Sequence, residues 1–198
     1  MKNKIVVIGS SNVDLIMKMD RLPEKGETIT DAGFFQVYGG KGVNQAVGAA
    51  RAGGKVAFVN CVGNDAYTPQ MLENFRNDGL DIRFVFQETD IASGHALVMI
   101  GGEGNNYLSV APGANYKLTP ELIDRSMPVI DEAAMIIMQY EIPVESKGDI
   151  HSNFDGKTLI SKKVKEFVIM GGQYPEGKKE WNFDGNMPGI TNIIKAKS

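Results

Sequence analysis

Two scarce residue types limit the chemistry open to this 198-residue chain. It contains one cysteine, Cys61, and two histidines. A single cysteine cannot form an internal disulfide, and the apolar run from Val56 to Val62 around it predicts a buried structural thiol. His95 lies in a strand-like stretch, and no second histidine, cysteine or carboxylate pair stands at metal-ligand spacing from it. We therefore interpret His95 as a packed or solvated side chain and predict no metal site.

Long apolar runs and an excess of positive charge are also lacking. The formal net charge is -3, so there is no basic field to attract nucleic acid or acidic membranes. No segment approaches the roughly 20 apolar residues that a membrane helix needs. The apolar stretch before Ser10 is too short for a secretion signal. We expect a cytoplasmic protein without nucleic-acid or membrane partners.

The most distinctive stretch that is present runs from Gly39 to Ala46 and reads Gly-Gly-Lys-Gly-Val-Asn-Gln-Ala. It combines glycines, a cation and two amides at the start of a predicted helix, where free N–H groups and a partial positive charge favour a polar ligand. A Walker phosphate loop does not fit, because Lys41 is followed by Gly42 instead of a hydroxyl residue. A Rossmann fingerprint fails as well, because Gln45 stands where its third glycine belongs. The stretch predicts a ligand-binding turn, or else two glycines that merely end a strand.

Strand and helix signals alternate along the first part of the chain. Ile5 to Ile8 and Val56 to Val62 are apolar runs typical of strands buried on both faces. Helices are predicted after Gly40 and from Pro69 to Phe75. This alternation is typical of an α/β fold with a parallel sheet.

Strands are further predicted at 82–87, 95–100 and 106–110, with a hairpin turn at 101–105, and together they suggest a meander. A helix begins at Thr119-Pro120. The apolar run from Ala133 to Gln139 predicts another strand.

Two carboxylates follow predicted strands of the parallel sheet. Asp14 comes after the first strand and Glu141 after the last one. Open α/β sheets bind ligands at the carboxyl ends of their strands, so both residues are candidates for ligand contact. A turn or cap role for Asp14, and a solvated strand-end charge for Glu141, remain the alternatives.

Residues 4 to about 145 resemble the N-terminal half of the ribokinase-type sugar kinases. The resemblance rests on six motifs in the family's order: Gly9-Ser10-Ser11-Asn12-Val13-Asp14, Pro23-x-x-Gly26-Glu27-Thr28, Gly39-Gly40-Lys41-Gly42-x-Asn44-Gln45-Ala46, Gly63-Asn64-Asp65, Ala111-Pro112-Gly113-Ala114-Asn115 and Gln139-Tyr140-Glu141-Ile142-Pro143.

This resemblance implies an α/β fold consisting of a partial ribokinase-like (Rossmann-like) parallel sheet with helices, plus a small β-sheet lid at about 12–38 and 93–112. The sugar-binding region would span 1–145. The family's pentose contacts match Asp14, Gly40, Lys41, Asn44 and Glu141. Because lids pair in family dimers, a homodimer through the lid is implied.

ATP and Mg²⁺ are expected for the family, but the motifs that serve them are not found in this chain. The family's second half carries a Gly-Ala-Gly-Asp anion hole with the catalytic aspartate, and an Asn-x-x-Glu magnesium motif. Neither follows Glu141. We therefore name no catalytic residue, and expect kinase activity to be lost or to depend on something absent from the chain.

The tail, 146–198, resembles a different family over about 154–196. Its segment from Lys163 to Gly172, followed by Glu180-Trp181-Asn182-Phe183, is similar to an internal part of inosine-uridine-type nucleoside hydrolases. There the positions matching Glu180 and Asn182 hold ribose hydroxyls. The calcium-binding aspartate cluster of those hydrolases is absent. A gene fusion, a rearranged reading frame and a chimera would each explain the joint, and the strand from Phe167 to Met170 is a candidate to complete the sheet.

Three functions follow as hypotheses. The first is a ribokinase-like protein represented by its sugar-binding half, and the second is a non-catalytic pentose-binding or dimerising module. The third, nucleoside hydrolysis by the tail, predicts calcium-dependent release of base from inosine or uridine.

Overall fold

A computed structural model of the chain describes residues 4–143, 166–170 and 193–195. The helices are α1 (Lys41–Arg51), α2 (Thr68–Asn77) and α3 (Pro120–Ile130). The strands are β1 (Lys4–Ile8), β2 (Asn12–Lys18), β3 (Gly33–Gly39), β4 (Lys55–Val62), β5 (Asp81–Gln87), β6 (Gly94–Ile100), β7 (Asn106–Ala111), β8 (Met135–Gln139), β9 (Glu166–Met170) and β10 (Ile193–Lys195). Short 3-10 turns span Gly102–Gly104 and Gly113–Lys117.

The main sheet has the strand order β10-β9-β8-β1-β4-β5. All of its pairings are parallel except that of β9 with β10. Helices α1 and α2 cover one face, where Val43 and Met71 join the apolar core, and α3 covers the other face with Ile123 and Ile130. Burial on both faces explains why β1 and β4 are almost continuous apolar runs.

A second, small sheet has the order β3-β2-β6-β7. Its central pair, β2 and β6, is parallel, and the two outer pairs are antiparallel. Its two halves come from separate parts of the chain, which leaves the main sheet after β1 and again after β5. The small sheet therefore extends from the edge of the main sheet where β1 ends.

The predicted α/β class, with a parallel sheet, helices and a small additional sheet, is confirmed. The predicted meander is wrong at its first strand, because β5 pairs in parallel with β4 in the main sheet while β6 and β7 form the hairpin. The turn alternative for Asp14 is also wrong, since this residue lies within β2. Within the lid segment implied at about 12–38, the strands are β2 and β3, and β3 begins at Gly33.

The predicted domain boundary near residue 145 lies outside the described residues and stays a prediction. Within the described ranges, no helix is both long enough and apolar enough to cross a bilayer.

Candidate functional site

The candidate site lies where β1, β8 and the start of α1 meet. Strands β1 and β8 are parallel neighbours, so their carboxyl ends lie at the same edge of the main sheet. Beyond β1 the chain turns through Ser10 and Ser11 into β2, and beyond β8 it reaches Glu141 within two residues. The edge at which the sequence places ligands is therefore the edge where its motifs converge.

Two glycines allow α1 to begin against the β1–β2 turn. Gly40, the N-cap residue, has φ 107°, a backbone conformation that residues with a side chain rarely adopt. A Cβ at this position would also come within 2.9 Å of the Ser11 Cα. A Cβ on the buried Gly42 would collide with the backbone of Gly9 and Ser10. The glycine-rich motif is thus explained by close backbone approach at the site.

Glu141 contacts Lys41, the first residue of α1, through both of its carboxylate oxygens. Its Oε1 forms an ion pair with Lys41 Nζ. Its Oε2 accepts hydrogen bonds from the Ser10 hydroxyl at 2.6 Å and from the Lys41 backbone N–H at 3.2 Å. Burial acts to raise the pKa of Glu141, but the hydrogen bonds from Lys41 and Ser10 outweigh it, so the pKa lies below its ordinary value. Glu141 is therefore ionised at neutral pH.

Asp14 differs from Glu141 in lacking such partners. Its half-buried carboxylate lies against Gly39 on the neighbouring strand. Within the described part of the chain it accepts no hydrogen bond. Burial, and then the negative charge of Glu141, raise its pKa. A carboxylate that is partly removed from water without a donor is ready to accept hydrogen bonds from a ligand.

Asn44 occupies the first turn of α1. Its backbone N–H bonds the Gly40 carbonyl at 3.0 Å, while its side chain is exposed. The structure thus brings Asp14, Gly40, Lys41, Asn44 and Glu141 to one edge of the main sheet. Glu180 and Asn182 lie outside the described residues, and their ribose contacts stay a prediction.

A buried amide network, not predicted from the sequence, supports the start of β2. Asn115 accepts the Ser11 backbone N–H at 2.9 Å and donates to the Ser11 carbonyl at 3.1 Å and to Asn12 Oδ1 at 2.8 Å. Asn60 donates to the Gly9 carbonyl at 2.7 Å and accepts the Ser11 hydroxyl at 2.9 Å. The network fixes the turn that leads to Asp14. The sequence signal for this network is Asn60, a polar residue within an apolar strand.

A second polar cluster supports the start of β6. Asp65 accepts backbone N–H groups of Ser93, at 2.6 Å, and Tyr67, at 2.9 Å. Burial acts to raise the pKa of Asp65, but these hydrogen bonds outweigh it and the pKa is lowered. Thr68 bonds the Gly63 carbonyl at 2.8 Å. Both central strands of the small sheet are therefore attached to the main body by buried polar groups at their first residues.

Cys61 and His95, the cysteine and the histidine that the structure describes, have ordinary surroundings. Cys61 is buried, and this burial raises the pKa of its thiol to about 12, so it stays protonated. His95 is partly buried, its Nδ1 lies 2.8 Å from the Ser93 carbonyl oxygen, and its ring packs edge-on to Tyr67. Cys61 therefore has a packing role, and His95 has a hydrogen bond and a ring contact.

The chemistry of the site bears on which ligand its described residues fit. No group of three or more His, Cys, Asp or Glu residues that could hold a metal occurs among them. A phosphate group could bind at the start of α1, but the Glu141 carboxylate already occupies this position and accepts the Lys41 backbone N–H. Asp14 adds a second negative charge nearby. Such a site favours an uncharged ligand with several hydroxyl groups over a triphosphate.

Known proteins similar to this chain include ribokinases. The chain is 41% identical over 138 residues to ribokinase of Mus musculus. This match covers 70% of the chain and 43% of the mouse protein. It is 38% identical over 146 residues to ribokinase of Bacillus subtilis, covering 74% of the chain and 50% of that protein. The chain thus spans half or less of the length of these relatives.

Comparisons with solved structures and with a family profile also match this chain to carbohydrate kinases. Ribokinase from Giardia lamblia superposes with a TM-score of 0.79 at 28% identity, covering 89% of this chain and 52% of that one. Arabidopsis thaliana ribokinase, solved with ribose and ATP, gives a TM-score of 0.70 at 31% identity, covering 85% and 53%. The profile of the pfkB family carbohydrate kinase matches residues 2–151. The predicted ribokinase-like resemblance is confirmed, and the chain belongs to the pfkB family of carbohydrate kinases.

Proposed function

We propose that this chain is the sugar-binding half of a ribokinase-type carbohydrate kinase and that it binds a pentose such as ribose at the edge where β1 and β8 end. One observation carries the proposal. The Asp14 carboxylate, which has no hydrogen-bond donor among the described residues, lies beside the Glu141–Lys41 ion pair at a glycine-led helix start. The ribokinase relatives, one of them solved with ribose, support the choice of ligand.

Each side chain has a distinct part in this proposal. Asp14 and Glu141 accept hydrogen bonds from sugar hydroxyls, and such charge-assisted bonds are stronger than neutral ones. Lys41 donates, while Asn44 can both donate and accept. Gly40 lets the backbone approach the ligand closely. Two carboxylates against one ammonium leave the site negative, which suits a neutral sugar better than a phosphorylated one.

We further propose that the chain alone does not transfer phosphate. Phosphoryl transfer depends on positioning and on stabilising charge around the γ-phosphate. Neither the Gly-Ala-Gly-Asp anion hole nor the Asn-x-x-Glu magnesium motif follows Glu141 in the sequence. Kinase activity would then require groups outside those described. Incubation with ATP, Mg²⁺ and ribose should yield no ribose phosphate, and turnover by the chain alone would overturn this part of the proposal.

A thermal melt with and without D-ribose tests the sugar site. A ligand that binds only the native state stabilises it by about 2.7 kcal/mol at 100 times its dissociation constant. We expect a rise in Tm for the wild type and none for the double variant Asp14→Ala, Asn44→Ala. The matched control, Asp124→Ala with Asn77→Ala, replaces the same residue types at exposed positions on α3 and α2 and should keep the rise. A shift that persists in the Asp14 and Asn44 variant would refute the site.

A second candidate function, a dimerising module, is supported by the surface of the small sheet. Met17, Phe34, Met99 and Tyr107 lie in one row across its four strands, and Phe34 and Tyr107 are 61% and 59% exposed. An apolar row of this kind is typical of an interaction surface. We propose that a second copy of the chain covers it.

Sedimentation analysis tests this pairing. The wild type should sediment as a dimer, and Phe34→Glu with Tyr107→Glu as a monomer. Tyr116→Glu provides the control, since Tyr116 is 57% exposed but lies in the 3-10 turn that follows β7. A monomeric wild type at all accessible concentrations would rule out the dimer.

A further inference from the structure

We infer that Ser10 is a positioning residue, which holds the Glu141 carboxylate in its sugar-binding orientation without touching the sugar itself. The sugar part of this inference rests on the proposed function. The sequence motifs did not predict Ser10 as a sugar contact. Its hydrogen bond to Glu141 is visible only in the structure.

The burial of Ser10 excludes direct ligand contact. Ser10 is 0% exposed and lies in the turn that follows β1, directly beneath the first turn of α1. Its carbonyl accepts the Val43 backbone N–H at 2.9 Å, and its hydroxyl oxygen accepts the Gly42 backbone N–H at 3.3 Å. Its position is therefore fixed by the helix start and does not depend on a ligand.

The direction of the hydrogen bond to Glu141 follows from its partners. A backbone N–H can only donate and an ionised carboxylate can only accept. The Ser10 hydroxyl accepts from Gly42, so its single proton points to Glu141 Oε2, 2.6 Å away. The helix N–H, the hydroxyl and the carboxylate form one chain of hydrogen bonds with the same polarity, in which each bond strengthens the next. This chain favours the ionised form of Glu141.

The two oxygens of Glu141 consequently have different tasks. Oε2 is held by the Ser10 hydroxyl, in the turn between β1 and β2, and by the Lys41 backbone N–H, at the start of α1. Among the described residues, Oε1 is held only by the Lys41 ammonium, at the end of a flexible side chain that is 49% exposed. A sugar hydroxyl can displace the ammonium from Oε1 while Ser10 keeps the carboxylate in place. Among the described residues, the charged groups that face Glu141 are Lys41 from α1 and Asp14 from β2.

The direct test is a carboxyl ¹³C NMR titration of Glu141, assigned with Glu141→Gln, in the unliganded chain. Ser10→Ala removes a donor to the ionised form, so the titration midpoint should move to higher pH. Ser126→Ala is the matched control: Ser126 is also 0% exposed and loses a hydrogen bond of 2.8 Å to the Leu122 carbonyl, yet it should leave the Glu141 midpoint unchanged. If Ser10→Ala does not fold, Ser10→Cys, a weaker donor of similar size, should give a smaller shift in the same direction. An unchanged midpoint in a folded Ser10 variant would overturn the inference.

Ribose binding by calorimetry gives the second readout. Ser10→Ala should raise the Kd about tenfold, the size expected for losing a hydrogen bond to a charged group. In a Glu141→Gln background the same substitution should change Kd little, because its effect passes through Glu141. An equal loss in both backgrounds would show a merely structural role and refute the positioning role. A shifted Glu141 midpoint in a wild type that binds no ribose would refute the proposed function, while the hold of Ser10 on the carboxylate would stand.

Discussion

The main sheet and the small sheet of this protein use apolar residues in opposite ways. Strand β4 of the main sheet is buried at seven of its eight positions, whereas β7 of the small sheet is exposed at all six. Both strands are rich in apolar residues. The same composition therefore builds a core in one sheet and a surface in the other, depending on whether helices cover it.

This difference indicates where the stability of each sheet originates. Helices α1, α2 and α3 cover the main sheet, so removing its apolar side chains from water stabilises it directly. The small sheet buries few apolar side chains, Val13 and Ala96 among them. It relies in addition on its backbone ladders and on the polar contacts at the start of β2 and just before β6. We therefore expect it to depend more strongly on those attachments, and on a ligand or partner, than the main sheet does.

The largest expected effect compares one residue type in the two sheets. Phe58 in β4 is 0% exposed and packs edge-on to Phe75 at 5.4 Å between ring centroids. Phe58→Ala should lower the free energy of unfolding by about 3–5 kcal/mol, whereas Phe34→Ala in β3 should change it by about 0.5 kcal/mol or less. Urea unfolding at a concentration where the chain is monomeric measures both. Similar costs for the two variants would contradict the contrast between the sheets.

An intermediate effect is expected at the attachment of the small sheet. Asn115→Ala leaves the buried Ser11 backbone groups without their partner, which should cost about 1–3 kcal/mol. Hydrogen exchange should then accelerate in β2 more than in β4. The control Asn77→Ala, at the exposed end of α2, should alter neither stability nor exchange. Uniform acceleration across both sheets would mean that they unfold as one unit.

The smallest effect concerns Asp14 and pH. Because its pKa is raised in the folded protein, the ionised carboxylate destabilises the unliganded fold. This cost is absent below the unfolded pKa, about 3.9, grows as the pH rises towards the folded pKa and is constant above it. Asp14→Asn should therefore raise Tm slightly at pH 7, within about 0.5 kcal/mol, and leave it unchanged near pH 3. A gain at low pH, or a loss at pH 7, would contradict the assigned shift.

The sequence was most informative where neighbouring residues decide the structure. Ile5 to Ile8 could be assigned to a buried strand because β-branched residues in an unbroken run fit a strand covered on both faces. Gly40 and Gly42 marked the start of α1, because only glycines at these positions let the helix approach the backbone of the β1–β2 turn so closely. Asp14 and Glu141 could be placed at one edge because parallel strands end together, while their roles as sugar contacts stay predictions.

Long-range pairing was not accessible in the same way. The stretch from Ile82 to Gln87 predicts a strand but carries no signal for which sheet receives it, and the meander was therefore misplaced. The partners of Asn60, Asn115 and Ser10 come from distant parts of the chain, and spacing within one motif does not reveal them. The polar residue within the apolar run of β4 was the available signal, since a buried amide requires partners.

The parallel pairing of β2 with β6 has a consequence for how the molecule is made. Asn12 pairs with Gly94, so the ladder joins positions roughly eighty residues apart, and closing so long a loop costs entropy before any contact repays it. By then β1, α1 and β4 can already have formed their more local contacts. During synthesis the small sheet should consequently be the last of these regions to be completed. Until β6 arrives, the edge of β2 that faces it is open to pairing with other chains.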